Sequence, residues 1–242
     1  MSRFEASFAS LQNLDYRKLW WAGTFSFMSV QMQFLLRGVL AWDLTEREGA
    51  LGLVYLCFCI ALLIATPLGG VAADRLPKRR VLIVSQGAIL AAATGMGVVV
   101  LTDVVQFWML LIAAVTQGVA FGFLGPTRVA FTSEIVGRDQ LGNAITLSML
   151  SMNGTRVVAP AFAGALAGLV FVGIGGAYVV SAAFSLLSFV LYVRCPPGSA
   201  PRATSTASPF AEIVDGVRYV RARPHLRRLV LSSFVIIMFG FN

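Results

Sequence analysis

Charge is what this sequence has least of. Acidic and basic residues make up 12% of its 242 residues, against roughly 25% in a soluble domain, which excludes an ordinary water-soluble globule. Histidine occurs once, at His225. No His-Glu-x-x-His or Gly-x-Ser-x-Gly run is present and no two carboxylates share an apolar run, so the usual metal-dependent and nucleophilic enzyme sites lack their residues. Cysteine occurs three times: Cys57 and Cys59 sit inside an apolar run and Cys195 stands apart, which gives neither a metal spacing nor a disulfide framework. The run "GIGG" at 173–176 follows no strand and is no phosphate loop. The sequon "NGT" at 153–155 falls within a helical run, where it would not be modified. No cofactor, metal or catalytic residue is expected, and no enzyme.

Hydrophobic residues are abundant instead, at 57%, and the mean hydropathy is +0.80. A hydrocarbon layer about 30 Å thick needs about 20 apolar residues of helix per crossing. Six such runs occur, near 19–41, 51–73, 81–101, 107–131, 143–171 and 177–193, and a seventh starts near Leu229 and is still short of a crossing at Asn242. The expectation is therefore an all-α membrane chain that is a piece of a longer protein. The first run is too long for a signal peptide, contains Arg37 and is followed by no cleavage pattern. The net charge of +8 does not point to nucleic acid, because the cations fall in short blocks between apolar runs. With the N-terminus in the cytoplasm, Arg47 alone lies outside, Arg37, Arg128 and Arg156 lie within spans, and every other Lys and Arg lies inside. That asymmetry obeys the positive-inside rule.

The chain thus divides into three regions: a six-helix bundle at 1–194, a cytoplasmic linker at 195–224, and the start of a truncated seventh helix at 225–242. The linker opens with "CPPGSAPRATSTASP", a flexible composition. Ser208 and Pro209 then suit a helix start, and Phe210, Ile213, Val214, Val217 and Val220 recur at helical spacing, with Asp215, Arg218 and Arg221 opposite. A short amphipathic helix against the inner membrane surface is expected there.

The loop between the second and third spans, "GGVAADRLPKRRVL" at 69–82, interrupts the apolar chain with charge. Ala65, Gly69 and Ala73 form a small-residue stripe that lets another backbone approach closely. Asp74 is badly placed for its own helix dipole and should gain from a cationic partner. We expect Asp74 with Arg75, and Glu134 with Arg79 or Arg80, to form an inner lock.

Charged groups at mid-membrane cost at least ~3 kcal/mol, so they face partners or water. Ser26, Ser29, Gln33 and Arg37 share one face of the first span, and Asn153, Arg156 and Pro160 share one face of the fifth. The expected substrate cavity is lined by Gln33, Arg37, Asn153 and Arg156, which suits an anionic or catechol-rich solute. Two structural alternatives stand beside it. Arg156 can bond to carbonyls freed by Pro160, and Arg128, behind Gly118, Gly122 and the Gly125-Pro126 break, can pair with Glu134.

The run Gly70 to Arg79, "GVAADRLPKR", resembles the loop signature of the major facilitator superfamily, Gly-x-x-x-Asp-Arg-x-Gly-Arg-Arg, with Pro77 for the second Gly and Lys78 for an Arg. Gly70, Asp74, Arg75, Pro77, Lys78 and Arg79, with Arg80 and Glu134 beside them, would then be its gating element. "APAFAG" resembles the family's antiporter element Gly-Pro-x-x-Gly-Gly at Ala159, Pro160, Ala163 and Gly164, with alanine at two glycine positions. The stretches "LDYRKLWWAGTFSFMS", "EIVGRDQLGNAITL" and "GVRYVRARPHLRRLV" look most like the enterobactin-exporter and macrolide-efflux branch. The resemblance implies the N-terminal half of a twelve-helix carrier in the bacterial inner membrane. It implies export of a siderophore or drug-like small molecule by alternating access driven by the proton gradient. A macrolide or multidrug pump is the alternative within transport, and a non-transporting membrane module the alternative outside it. The implied partners are the substrate, the bilayer and the missing C-terminal half. No carboxylate lies deep in a span, so the coupling acid is Asp43, Glu134 or a residue of the other half.

Overall fold

The computed structural model describes residues 9–198, with Arg223, His225, Leu226, Arg228 and Ser232 beyond them. Linker residues 199–222 and Pro224, with the expected amphipathic helix, and most of the start of the seventh span fall outside the described residues, while His225, Leu226, Arg228 and Ser232 are helical. Contacts divide the chain into two units, Met1–Arg202 and Ala203–Asn242, and the helical bundle lies in the first.

A short 3-10 turn, Ala9–Gln12, leads into α1, Leu14–Thr45. Asn13 starts α1 because its side-chain oxygen accepts from the backbone N–H groups of Asp15 and Tyr16 at 3.0 and 3.2 Å, which satisfies donors that the first turn leaves open. Helix α2 is Glu48–Arg75 and α3 is Lys78–Leu101. Between them Leu76 is extended (φ −110°, ψ 155°), as the residue before a proline prefers. Pro77 takes φ −57°, ψ 113°, so this turn requires no positive φ and proline fits where the family signature has glycine. The helix Phe107–Gly168 has 62 residues, about 93 Å at 1.5 Å per residue, and carries two of the expected spans. It bends at Gly137 (φ 72°, ψ 179°), a conformation open essentially to glycine alone. We call its limbs α4, 107–136, and α5, 138–168. The sequence suggested a loop between these spans. Instead Ile135 and Val136 stay helical and pack with Tyr16, Ala144 and Leu147. Helix α6 is Gly173–Val193.

By length and composition, α2, α3, the Phe107–Gly168 helix and α6 can each cross a membrane. Helix α1 is long enough but less apolar, and its serines and glutamines are the reason. Those residues are spent inside the bundle. Ser26 Oγ donates to Gln86 Oε1 of α3 at 2.8 Å, Gln86 Nε2 donates to Ser185 Oγ of α6 at 2.8 Å, and Ser188 Oγ of α6 donates to the Ala22 carbonyl at 2.7 Å. In hydrocarbon each group must find such a partner within the protein.

Small residues set the closest approach. A Cβ on Gly118 would lie 2.5 Å from the Phe58 carbonyl, one on Gly122 would lie 2.6 Å from Ala65 Cβ, and one on Gly69 would strike the Gly122 carbonyl. The stripes of α2 and α4 therefore interlock. Helix α1 meets α5 through Tyr16 Oη to the Ala144 carbonyl (2.7 Å), Trp20 Nε1 to the Leu147 carbonyl (3.0 Å), and Thr24 Oγ1 with Ser151 Oγ (2.6 Å).

Candidate functional site

The faces of α1, α4 and α5 that the bundle does not consume line a half-open cavity of about 310 Å³. Phe27 comes from α1, Phe121 and Arg128 from α4, and Ser148, Met149 and Met152 from α5. Arg128 is 6% exposed. Its guanidinium carbon lies 4.8 Å from the centre of the Phe27 ring, and its Nη2 has no hydrogen-bond partner among the described residues. Gly23 makes the position possible, since a Cβ there would collide with that guanidinium. A buried cation without a carboxylate, set in an apolar wall, is a site that a negatively polarised group would complete.

The four residues expected to line a cavity separate into two places. Gln33 and Arg37 are 2% and 1% exposed and lie inside the bundle. Gln33 Nε2 donates to Ser29 Oγ at 3.0 Å, and Arg37 Nε donates to the Gln33 carbonyl at 3.1 Å. Arg37 also donates to Gln117 Oε1 of α4 and sits 5.3 Å from the centre of the Phe34 ring. Its Nη1 has no partner among the described residues, nor has Gln117 Nε2 or the Tyr178 hydroxyl. Asn153 and Arg156 are exposed on α5. Arg156 follows Met149 and Met152 at helical spacing, so it continues the α5 wall of the 310 Å³ cavity. Arg156 makes no hydrogen bond among the described residues, and the carbonyls near Pro160 are not its partners.

Arg128 and Phe27 were not among the expected lining residues. The sequence signal for Arg128 was its charge within a span, and the suggested pairing with Glu134 is not formed. Glu134 binds Lys78 instead, Nζ to Oε1 at 2.6 Å, with the two side chains 13% and 23% exposed. Arg79 donates to the Val193 carbonyl at the end of α6, a favourable place for a cation. Among the described residues Asp74 is exposed and makes no ion pair with Arg75, and Arg80 is exposed. The contacts at this basic end thus link the α2–α3 turn to α4 through Lys78 and to α6 through Arg79. Gly70 has open space where a Cβ would stand. In α5, Ala159 and Ala163 are fully buried, Pro160 is half-buried, and a Cβ on Gly164 would touch Leu35 of α1 at 3.6 Å. This element packs α5 on α1. Beyond the end of α6, burial pushes the Cys195 thiol up to about 11.

The family model of the Major Facilitator Superfamily matches residues 19–242. Among curated proteins, the enterobactin exporter EntS of Shigella flexneri is 27% identical over 184 residues, which is 74% of this chain and 43% of that protein. EntS of Salmonella typhi is 27% identical over 182 residues, 74% of this chain and 42% of that protein. EntS of Escherichia coli O1:K1 is 26% identical over the same length and shares. The chain spans less than half the length of these relatives.

Proposed function

This chain belongs to the major facilitator superfamily, and from that premise we propose that it forms the N-terminal bundle of a secondary active exporter that moves a small molecule by alternating access. The observation that carries this reading is the 310 Å³ cavity with its buried, acid-free Arg128 over Phe27. A guanidinium beside an aromatic ring binds a planar, electron-rich, acidic solute by charge and by stacking. A catechol-type siderophore has that chemistry, and the relatives named enterobactin exporters support this substrate class. Arg156, further along the α5 wall, would widen the electropositive surface when the second bundle faces it. Gln33 and Arg37 join this reading as groups behind the wall that hold α1 in place.

The positive-inside rule puts the basic end, with Lys78, Arg79 and Arg80, in the cytoplasm of a bacterial inner membrane. There the Lys78–Glu134 pair, with the rest of the Gly70–Arg80 turn, serves as the gate. Proton coupling needs an acid whose environment changes with access. Glu134, whose pair with Lys78 would open with the gate, Asp43 and a carboxylate of the other half are the candidates. A drug-like substrate is the second reading, favoured by the thioether and phenyl surface of Met149, Met152, Phe27 and Phe121, which adapts to varied apolar shapes.

The test is flux in proteoliposomes containing the full-length protein. Arg128→Leu and Arg156→Ala are each expected to raise the KM for a catecholate about tenfold or more, the value of one charge-assisted contact, while Arg156→Lys retains part of it. Wild-type affinity and rate in both variants would remove these arginines from the site.

A further inference from the structure

A second concave surface lies on the far side of α4 from the cavity. Two hollows of about 600 and 610 Å³ run along the seam where α3 passes α4, and they share Ala88 and Thr116. Small residues on α3, Ala88 among them, leave room that Val115, Val119 and Phe123 of α4 border without filling. Leu76, Pro77 and Arg80 close the hollow at the basic end. Of the cations there, Lys78 is held by Glu134 and Arg79 by the Val193 carbonyl, and Arg75 has a partner. Arg80 is exposed and, among the described residues, its side chain forms no hydrogen bond or ion pair. It also stands on the first turn of α3, where the helix dipole favours an anion. From Arg80 to Ala88 the helix rises about 12 Å, which is most of one leaflet's share of a ~30 Å hydrocarbon layer.

We propose that this seam is a binding site for one anionic phospholipid, with an acyl chain between α3 and α4 and the phosphate on Arg80. The charge at the mouth and the apolar walls match the two ends of that molecule. Water does not suit such walls, and a hollow of this size in hydrocarbon is filled by what surrounds it. The proposal is independent of the solute carried.

The experiment uses the full-length protein, purified in mild detergent with equal phosphatidylglycerol and phosphatidylcholine, and counts retained lipid by native mass spectrometry. Wild type is expected to keep phosphatidylglycerol about fivefold over phosphatidylcholine, the worth of one cation at a membrane surface. Arg80→Gln, an exposed substitution that leaves packing alone, should erase the preference. Ala88→Phe, which fills the seam, should lose the retained lipid whatever its headgroup. A Val84→Cys thiol bearing a photoreactive group should crosslink to phosphatidylglycerol. An unchanged preference in Arg80→Gln overturns the proposal, as does crosslinking from position 84 to another segment of the protein, which would mean that a helix fills the seam.

Discussion

Replacing Gln117 by Leu should cost the bundle more than replacing Arg37 by Met, and replacing both should recover most of the loss. Arg37 is 1% exposed and already has one nitrogen, Nη1, without a partner among the described residues. Removing the Gln117 carbonyl would leave Nη2 in the same state, and a buried charge stripped of its partner costs about 3–5 kcal/mol in soluble proteins. Side-chain bonds between membrane helices are weaker, with an upper value of about 1.7 kcal/mol. A charged donor puts Gln117→Leu between these limits, near 2–3 kcal/mol. Arg37→Met gives up the bonds to Gln117 and to the Gln33 carbonyl and the contact with Phe34, but it also removes a guanidinium that was expensive to bury. Its net cost reduces to the orphaned Gln117 amide, about 1 kcal/mol. In the double variant neither orphan remains, so stability should return to within ~1 kcal/mol of wild type, with a coupling of ~2 kcal/mol or more. Unfolding in mixed micelles, titrated with denaturing detergent and followed by near-ultraviolet circular dichroism, measures all four corners of this cycle. Additive single costs would refute the reasoning, because they would mean that the two side chains do not depend on each other. Flux through the stable double variant would then separate holding α1 in place from contact with the solute.

The same packing sets other expectations. Gly69→Val drives a branched side chain into the Gly122 carbonyl and should cost at least the ~1–3 kcal/mol of an overpacked core, read in the same unfolding titration; a smaller cost would mean that α2 and α4 separate easily. Gly137→Ala forces a side chain on to φ 72°, ψ 179°, about 1–3 kcal/mol of strain, and should change the angle between α4 and α5, read as a spin-label distance between the limbs. With Cys57 and Cys59 replaced by Ala, maleimide should label folded Cys195 more than a hundredfold more slowly at pH 8 than the unfolded chain, since its pKa of about 11 stands above the ordinary ~8.5. The raised folded value means that the thiol favours the folded state at low pH, and that this contribution is lost as pH climbs from the ordinary value through about 11. Glu134→Gln should loosen the basic end, raising the labelling of cysteines placed on the cytoplasmic side of the cavity, and Lys78→Met should do the same; no change in either would deny the pair a gating role.

The helices were legible because hydrophobic runs and cationic turns are local signals, and the six expected spans correspond to α1 through α6. The junction of α4 and α5 was not. "EIVGRDQLGN" is polar enough to read as a loop, but Ile135 and Val136 gain contacts with Tyr16 and Leu147 by remaining helical, and one glycine absorbs the bend. The close contact of α2 with α4 was legible in part, since Ala65 and Gly69 on one helix and Gly118 and Gly122 on the other announced small faces without naming their partners. The site was harder. Periodicity correctly grouped Ser26, Ser29, Gln33 and Arg37 on one face, but it says nothing about what covers a face. Here it is covered by Gln86, Gln117 and the serines of α6.

That burial bears on how such a bundle can work. Polar groups of α1 are tied to α3, α4 and α6 by bonds that hydrocarbon makes costly to break, and α2 is keyed into α4 by glycines that leave no slack. The pairs also have a symmetry: exchanging α1 with α4, α2 with α5 and α3 with α6 turns the α1–α5 contact into α4–α2 and returns α3–α6 to itself, as expected for two three-helix repeats. A unit knitted this way resists internal rearrangement, so under the alternating access proposed above, rocking as one body against a second bundle is the motion that would cost it least. The wall of Phe27, Arg128, Met149 and Met152 then needs no movable parts of its own. Access to Arg128 would then be governed from outside the bundle, and among the described residues the contacts at the basic end, the Lys78–Glu134 pair and the Arg79 bond to the Val193 carbonyl, are the ones that the proposed motion would break and reform.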